Sequence, residues 1–375
     1  MGCVGKISVF IPVYRESDLL KQTLTLLLSD PYKEKEIFVV IDEPTQRSME
    51  IVREFSLNGV HFKLNGERRG KVNALNEVIR EASGDIFLFL DADVLIDNAS
   101  SDSFLERIVK EMENAEIVEV KKEVLRDSFV AKVAGYDYIG FALANLFFSR
   151  KVGRCLAING AAFAIKRETF EALGGFRRTI CEDLDIATRS FINGARFKFI
   201  DDLVVLTKAP SSWREWFNQR KRWAIGAAFW IKDHFKTLRR ALRKYPRIIA
   251  TSLLLAFPST PLFLISLFIP DEIFVKTLYM LLLFFSAKAS LLIFPAAFTS
   301  VIVPAIKSLT VLLGNFFGYS AIFYILAKKL KFHFNLSEFT AYYFIMAPLW
   351  LILIVASLIR ICIKRGSKVN LDWKI

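Results

Sequence analysis

The stretch "FLFLDADVLID", residues 87–97, decides how the rest of the chain is read. Its Phe/Leu run suits a strand buried on both faces of a sheet. The run ends on Asp91 and Asp93, separated only by Ala92. Two like charges at the mouth of an apolar strand repel each other and contribute nothing to a sheet. A divalent cation bound there removes the difficulty. Carboxylate oxygens are the hard ligands that Mg2+ or Mn2+ selects, and such ions keep waters and are shared with phosphates. A solvated turn is the plain alternative, since Asp is frequent where strands end in turns.

The segments upstream favour the metal. "KISVFIPVY" (6–14) reads as a strand, "DLLKQTLTLLLSD" (18–30) as a helix and "EIFVVID" (36–42) as a strand. "GKVNALNEVIREAS" (70–83) reads as a helix, and "DIFLFLDAD" (85–93) closes the series as a strand. This alternation predicts an α/β fold, a mostly parallel sheet covered by helices. In such sheets ligands bind at the carboxyl ends of the strands. Tyr14, Glu16, Asp42, Asp91 and Asp93 all fall at those ends.

Composition divides the 375 residues in two. Hydrophobic residues make up 53% and the mean hydropathy is +0.36, high for a protein without a membrane part. Residues 231–375 hold 18 Lys/Arg against 5 Asp/Glu, the whole of the +13 excess, while the first 230 residues carry 33 of each sign. That positive charge flanks apolar runs near 248–269, 273–298, 301–327 and 340–362, each about 20 residues or more and long enough to cross a bilayer. Lys and Arg beside membrane spans follow from the positive-inside bias and anionic lipid head groups, so no nucleic-acid partner is expected. The third run is interrupted by Pro304, Lys307, Gly314 and Gly318, which leaves a re-entrant or amphipathic segment open. The basic "KKLKFH" belongs inside by the charge bias, whereas an even number of spans places it outside; the basic "KRGSK" favours the even number. Cys3, Cys155, Cys181 and Cys362 show no metal-ligand spacing, and with three histidines a zinc site is not expected.

Ahead of the spans lies "SSWREWFNQRKRWAIGAAFWIKDHF" (211–235). Ser212 and Glu215 form the capping-box pattern of a helix start. Trp213, Trp216, Trp223, Trp230 and Phe217 alternate with Arg214, Arg220, Lys221 and Arg222, a composition suited to the membrane–water interface. Gln219, Arg222 and Trp223 share one helix face, as their spacing of three and four requires. Arg222 suits a leaving diphosphate and Trp223 a sugar ring; an interfacial anchor accounts for the Trp and Arg but not for the Gln. A second acidic cluster, "CEDLD" (181–185), reads either as an acidic helix start or as the seat of a general base. The glycines of Asn159–Gly160 and Gly174–Gly175 just before it let backbone approach a ligand closely.

"IPVYRE", "VVID", "GKVNALN", "LDADV", "NGAAFAIKR…GGF", "CEDLD" and "QRKRW", in this order over residues 6–223, resemble the inverting family 2 glycosyltransferases. Q-x-x-R-W followed by spans resembles the processive branch of cellulose, chitin and hyaluronan synthases. The resemblance implies a GT-A catalytic domain over about residues 1–210, amphipathic interfacial helices over 211–246 and a membrane domain over 247–375. It implies Asp42 at the nucleotide base with Tyr14 and Glu16 lining that pocket, and Lys71 holding the nucleotide. It places Asp91 near ribose and metal, Asp93 on the Mn2+ or Mg2+, and Asp183 beside Glu182 as catalytic base. Gln219, Arg222 and Trp223 would close over the diphosphate and the acceptor. The sequence departs from the family at Cys181, where Thr is usual, and at "VIDEPT", which has one aspartate where Asp-Asp-Gly-Ser is commoner. It also shows no span ahead of the catalytic part, where processive synthases often carry them.

The expected activity is transfer of a sugar from a UDP- or GDP-sugar to a saccharide or lipid acceptor. The expected location is the cell membrane, multi-pass, with the catalytic domain cytoplasmic and lipids as partners. Polysaccharide synthesis, single addition to a lipid, and a transporter with a nucleotide-binding domain remain as alternatives.

Overall fold

Strand β1 (Ile7–Tyr14) is buried along both faces, and the rest of the sheet grows from it. Ile7, Val9, Ile11 and Val13 point into one core layer with Leu20, Leu24 and Leu27 of helix α1 (Leu20–Ser29). Phe10 points the other way, its ring 5.5 Å from Phe38 and 5.3 Å from Phe89. Phe163, Phe170 and Phe176 extend this aromatic layer. Burial on both sides is what continuous apolar strands require, and it fixes β1 in the sheet's interior.

The computed structural model describes residues 5–97, 103–258 and 302–363. With β2 (Lys35–Asp42), β3 (Val60–Asn65), β4 (Ile86–Leu90), β5 (Val94–Ile96), β6 (Ile117–Val124), β7 (Ala162–Lys166) and β8 (Phe197–Thr207), the sheet has eight strands in the order β3-β2-β1-β4-β7-β6-β8-β5. The half built from β3, β2, β1 and β4 is parallel, as the alternating pattern predicts. Strand β7 runs antiparallel between β4 and β6, and β5 antiparallel to β8, so the whole is mixed and mainly parallel. Register aligns Tyr14, Asp42 and Asn65 across the carboxyl edge. The apolar run ends at Leu90, which leaves Asp91 and Asp93 in the turn beyond β4.

Helices α2 (Gln46–Phe55), α3 (Lys71–Val78), α4 (Phe104–Met112), α5 (Phe129–Phe147), α6 (Arg167–Ala172) and α7 (Glu182–Asn193) fill the connections. Helix α8 (Trp213–Asp233) starts where its sequence says, with the Ser212 hydroxyl accepting from the Glu215 amide. The return arm of the box goes one residue back, since Glu215 accepts from the amide and hydroxyl of Ser211.

Two α8 residues depart from the interfacial reading: Trp216 and Arg220 are each 1% exposed. Arg220 is paired with Asp137 of α5 at 2.6 Å and stacks 4.5 Å from the Trp223 ring centre. Losing one partner of such a buried pair costs about 3–5 kcal/mol, because the other charge stays desolvated. Trp213 and Phe217, by contrast, are exposed. Helix α9 (Phe235–Lys244) is strongly basic, and Tyr245 at its end packs edge-on against Phe191 of α7.

Contacts divide the chain into two compact units, one bounded by Met1–Ser252 and Ile352–Ile375, the other by Leu253–Leu351. Among the described residues, two helices, Leu309–Lys329 and Leu336–Ile363, are long and apolar enough to cross a membrane. The first belongs to an unbroken helix, Ile302–Lys329. Pro304 sits in its first turn, where its missing N–H costs nothing, and the helix runs on through Gly314 and Gly318 in place of a re-entrant turn. The run at 248–269 begins in helix α10 (Pro246–Ala256). Residues 259–269 and the whole run 273–298 lie outside the described residues. Within the second unit Asn315 donates to the Tyr343 hydroxyl at 2.5 Å among packed aromatic rings.

At the edge of the sheet opposite the acidic turn, Glu36 accepts from Ser8, from the amide and hydroxyl of Ser83 and from the Gly84 amide. Burial raises its pKa, but Lys6 and these donors prevail and hold it at about 2 against 4.5 when unfolded. A depressed carboxylate adds stability that is complete above the unfolded value and lost as pH falls through the folded one. Thermal melting between pH 5 and 2 is therefore expected to show a loss of stability that Glu36→Gln removes.

Candidate active site

The acidic turn after β4 is held by backbone first. Asp91 N–H donates to the Ala161 carbonyl at 2.9 Å, and Val94 N–H closes the turn on the Asp91 carbonyl at 3.2 Å. Both Asp side chains are half-buried. Burial foremost, and then the charge of Asp91, pushes the Asp93 carboxyl up to about 7, although Lys71 and Arg222 pull it down. The repulsion read from the sequence is thus present in the folded chain.

Lys71, the first residue of α3, meets Asp91 Oδ1 at 2.7 Å and Glu182 Oε1 at 2.9 Å. Burial works against its charge, yet the two carboxylates keep the ammonium well above the usual lysine range. The sequence reading gave Lys71 to the nucleotide; here its ammonium joins the DxD turn to the start of α7. Glu182 thereby takes the ammonium, and Asp183 is held by backbone amides instead. Asp183 Oδ2 accepts from the Gly160 amide at 2.9 Å and Oδ1 from the Leu184 amide at 2.8 Å. Burial, then Glu182, raises its pKa to about 6, against the pull of Lys71 and these amides. A Cβ at position 160 would lie 2.9 Å from Asp183 Oδ2, so the close approach read from Asn159–Gly160 is made to the carboxylate.

The nucleotide-side candidates gather at the ends of β1 and β2. Asp42 is buried and accepts from Asn65 at 2.9 Å and from the Arg69 and Gly70 amides at 2.8 Å each. Three of a carboxylate's roughly four acceptor positions are thus committed to shaping the loop before α3. The Tyr14 hydroxyl donates to Glu43, and the Arg68 guanidinium lies 4.4 Å over its ring. Glu16 accepts from Thr45 at 2.5 Å. Arg68 and Arg69 also line an open cleft of about 380 Å3 with Glu67, Asn73, Glu77 and Arg178, which none of the candidate carboxylates borders.

On α8, the charge of the exposed Arg222 reaches both Asp93 and Cys181 and pulls the pKa of each down. Gln219 and Trp223 are half-buried on the same helix, with Arg220 against the Trp223 ring. The helix is held down on α7: Trp230 donates to Thr188 at 2.8 Å, and His234 lies 2.9 Å from Asp185, which also binds Arg189. A Cβ on Gly226 would fall 2.2 Å from the Cys181 sulfur, so glycine there is a condition of the docking.

Sequence reasoning missed the support beneath the site. Glu119 and Lys122 on β6 form a buried ion pair, and neither was singled out. The signal was there: the charges of "IVEVKKEV" fall in a strand that an α/β sheet buries on both faces, so each needed a partner.

Among the described residues, no group of three or more His, Cys, Asp or Glu side chains is placed to hold a metal. Asp91 and Asp93 nevertheless fit a hard divalent ion: they offer only oxygen, Lys71 takes one oxygen of Asp91, and burial beside Asp91 disfavours the charged form of Asp93, which a cation would relieve. An ion bound through one or two carboxylates completes its shell with water and phosphate.

The model of glycosyl transferase family group 2 matches residues 86–361, about three quarters of the chain, and that of glycosyl transferase family 2 matches residues 8–139. The chain belongs to the family 2 glycosyltransferases. It is 28% identical over 254 residues to a probable glycosyltransferase, YdaM, of Bacillus subtilis, covering 63% of this chain and 60% of that one. It is 26% identical over 242 residues to the poly-β-1,6-N-acetyl-D-glucosamine synthase of Staphylococcus epidermidis, covering 63% and 58%. The chain thus spans about 60% of the length of these curated relatives. A mannosyltransferase of Pyrobaculum calidifontis, solved with GDP-mannose and Mn2+, has the same fold. The TM-score is 0.57 at 20% identity over 95% of this chain and 87% of that one, which bears out the GT-A architecture.

In this glycosyltransferase Gly160→Ala is expected to displace Asp183 and lower turnover by about 10²-fold, the scale of a misplaced reacting group. Sugar transfer by the purified variant checks this, with its melting temperature as control for folding.

Proposed function

We propose that this glycosyltransferase moves a sugar from a UDP- or GDP-sugar to an acceptor hydroxyl with inversion, and that it builds a polysaccharide. The observation that carries the reading is the Lys71 bridge, which draws the turn of Asp91 and Asp93 and the acidic start of α7 to one ammonium. Asp183 takes the proton of the acceptor hydroxyl as its oxygen attacks the anomeric carbon from the side opposite the diphosphate. The glycosidic C–O bond forms while the bond to the diphosphate breaks, its electrons leaving with the phosphate oxygen. Arg222 meets that charge. Gln219 and Trp223 position the acceptor end. Tyr14, Glu16 and Asp42 border the nucleotide. Asp93, with Asp91, would hold Mn2+ or Mg2+, which when bound supplies neutralisation of the diphosphate.

The synthase relative supports polymer formation, and the mannosyltransferase bound to GDP-mannose and Mn2+ supports a metal-assisted GDP-sugar donor as a second possibility. A single transfer to a lipid or saccharide acceptor is the alternative reading. We assign residues 1–210 to a cytoplasmic catalytic domain, 211–246 to helices at the bilayer surface and 247–375 to a multi-pass membrane domain in contact with lipid. The two long apolar helices support this division.

Asp93→Ala, Asp183→Asn and Arg222→Ala are each expected to lower turnover by at least about 10²-fold. The test is nucleotide diphosphate release by protein purified in detergent with Mn2+, GDP-mannose or UDP-N-acetylglucosamine and a lipid extract. Near-normal turnover of Asp183→Asn would remove it as the base. Mass spectrometry of the products separates a polymer ladder from one added sugar.

A base works deprotonated, so turnover of the wild-type protein should fall as pH drops through about 6, where Asp183 takes up its proton. A profile flat from pH 8 to 5 contradicts this.

A further inference from the structure

The turn before β7 touches both halves of the site. Gly160 N–H holds Asp183 Oδ2, and the carbonyl of Ala161 accepts from Asp91 N–H. The turn's shape is set partly by itself, since Asn159 Oδ1 accepts from the Ala161 amide at 3.0 Å. The rest of its support comes from below. Glu119 Oε1 accepts from the Asn159 amide at 3.3 Å and from Lys122 Nζ at 2.7 Å, while Glu119 Oε2 accepts from Asn145 at 2.7 Å. Lys122 also donates to the Val120 carbonyl at 3.1 Å. Glu119 is 2% and Lys122 4% exposed. An ion pair this deep in a sheet gains little stability over apolar residues of similar size, and no step of transfer uses either charge.

We infer that Glu119 and Lys122 are positioning residues for catalysis, fixing the Asn159–Ala161 turn so that Gly160 N–H holds Asp183 at the acceptor. The inference rests on reading Asp183 as the base. The pair acts through the turn and touches no substrate. Lys122 adds its field: the charges of Asp183 and Asp91 both act on the buried ammonium. The arrangement separates donor binding, which lies on the strand ends, from alignment of the base, which lies on the turn.

The test is the double variant Glu119→Gln/Lys122→Met, which removes both charges together and leaves neither buried alone. It is assayed in the full-length protein alongside Asp183→Asn and the triple variant. Released GDP or UDP is followed with GDP-mannose or UDP-N-acetylglucosamine, whichever the wild type turns over. The double variant is expected to melt as a folded protein, keep the wild-type KM for the donor and lose at least about 10-fold in kcat. It should add little to the loss already caused by Asp183→Asn, because groups acting as one unit are non-additive. Unchanged kcat, or losses that multiply in the triple variant, would overturn the positioning role even with Asp183→Asn crippled. A folding failure of the double variant is met with Asn159→Ala, which removes the side-chain brace of the turn. Wild-type kcat in that variant overturns the inference as well. Near-normal turnover of Asp183→Asn overturns the base reading itself and the inference with it, a result distinct from the others.

Discussion

The site depends on keeping several carboxylates close together. Like charges at such distances raise one another's pKa and tend to take up protons or separate. Lys71 holds Asp91 and Glu182 together, since one ammonium contacts each at hydrogen-bond distance. Its place is set by α3, whose N-terminus follows Gly70, held at a φ of +88°. That left-handed backbone suits glycine. The loop leading to it is pinned by Asp42, so a residue at the end of β2 governs where a charge between β4 and α7 falls. Among the described residues Asp93 and Asp183 have no ammonium at hydrogen-bond distance, and burial with a neighbouring carboxylate raises the pKa of each.

The same logic explains α8. Arg222 must lie near Asp93 yet come from a helix that starts after the last strand, so its position depends on how α8 docks. Three contacts on α7 fix the docking: Trp230 on Thr188, His234 on Asp185, and the bare Gly226 against Cys181. Thr188 in turn donates to the Leu156 carbonyl, which ties the helix to the segment leading into the Asn159–Ala161 turn. Cys181, the departure from the usual Thr, fills the room that Gly226 leaves. Burial holds its thiol well above the usual range, so it stays protonated and acts by packing rather than by reactivity.

The half of the sheet that carries the nucleotide-side candidates was legible because its signals are local. Apolar strands alternating with amphipathic helices place Tyr14, Asp42 and Asp91 at one edge whatever the later strands do. Strands β5 to β8 were not legible in this way. Their antiparallel insertions depend on pairings such as Leu90 with Ala162 and Val94 with Thr207, over separations no local pattern records. The roles of Lys71 and Gly160 share that limit. Each residue was marked from its motif, but the partner that fixes its task lies 111 positions from Lys71 at Glu182 and 23 from Gly160 at Asp183. Trp216 and Arg220 were misjudged for a related reason. Aromatic and basic residues on one helix suit a membrane surface, and only Asp137, on a distant helix, makes Arg220 a buried residue.

Asp42 shows how a motif departure is absorbed. Where the commoner family pattern supplies two aspartates, this chain has one, and that one is committed to Asn65, Arg69 and Gly70. On the function proposed above, recognition of a nucleotide base falls more heavily on neighbours with free surface. Tyr14 is 48% exposed and anchored at its hydroxyl by Glu43, while Arg68 covers one side of its ring. A ring held at both its edge and one face loses little freedom when a flat base stacks on the other, so the ordering that stacking would otherwise cost is already complete. On that proposal, loop shape and base contact, which two aspartates can divide between them, are divided here between a carboxylate and a ring.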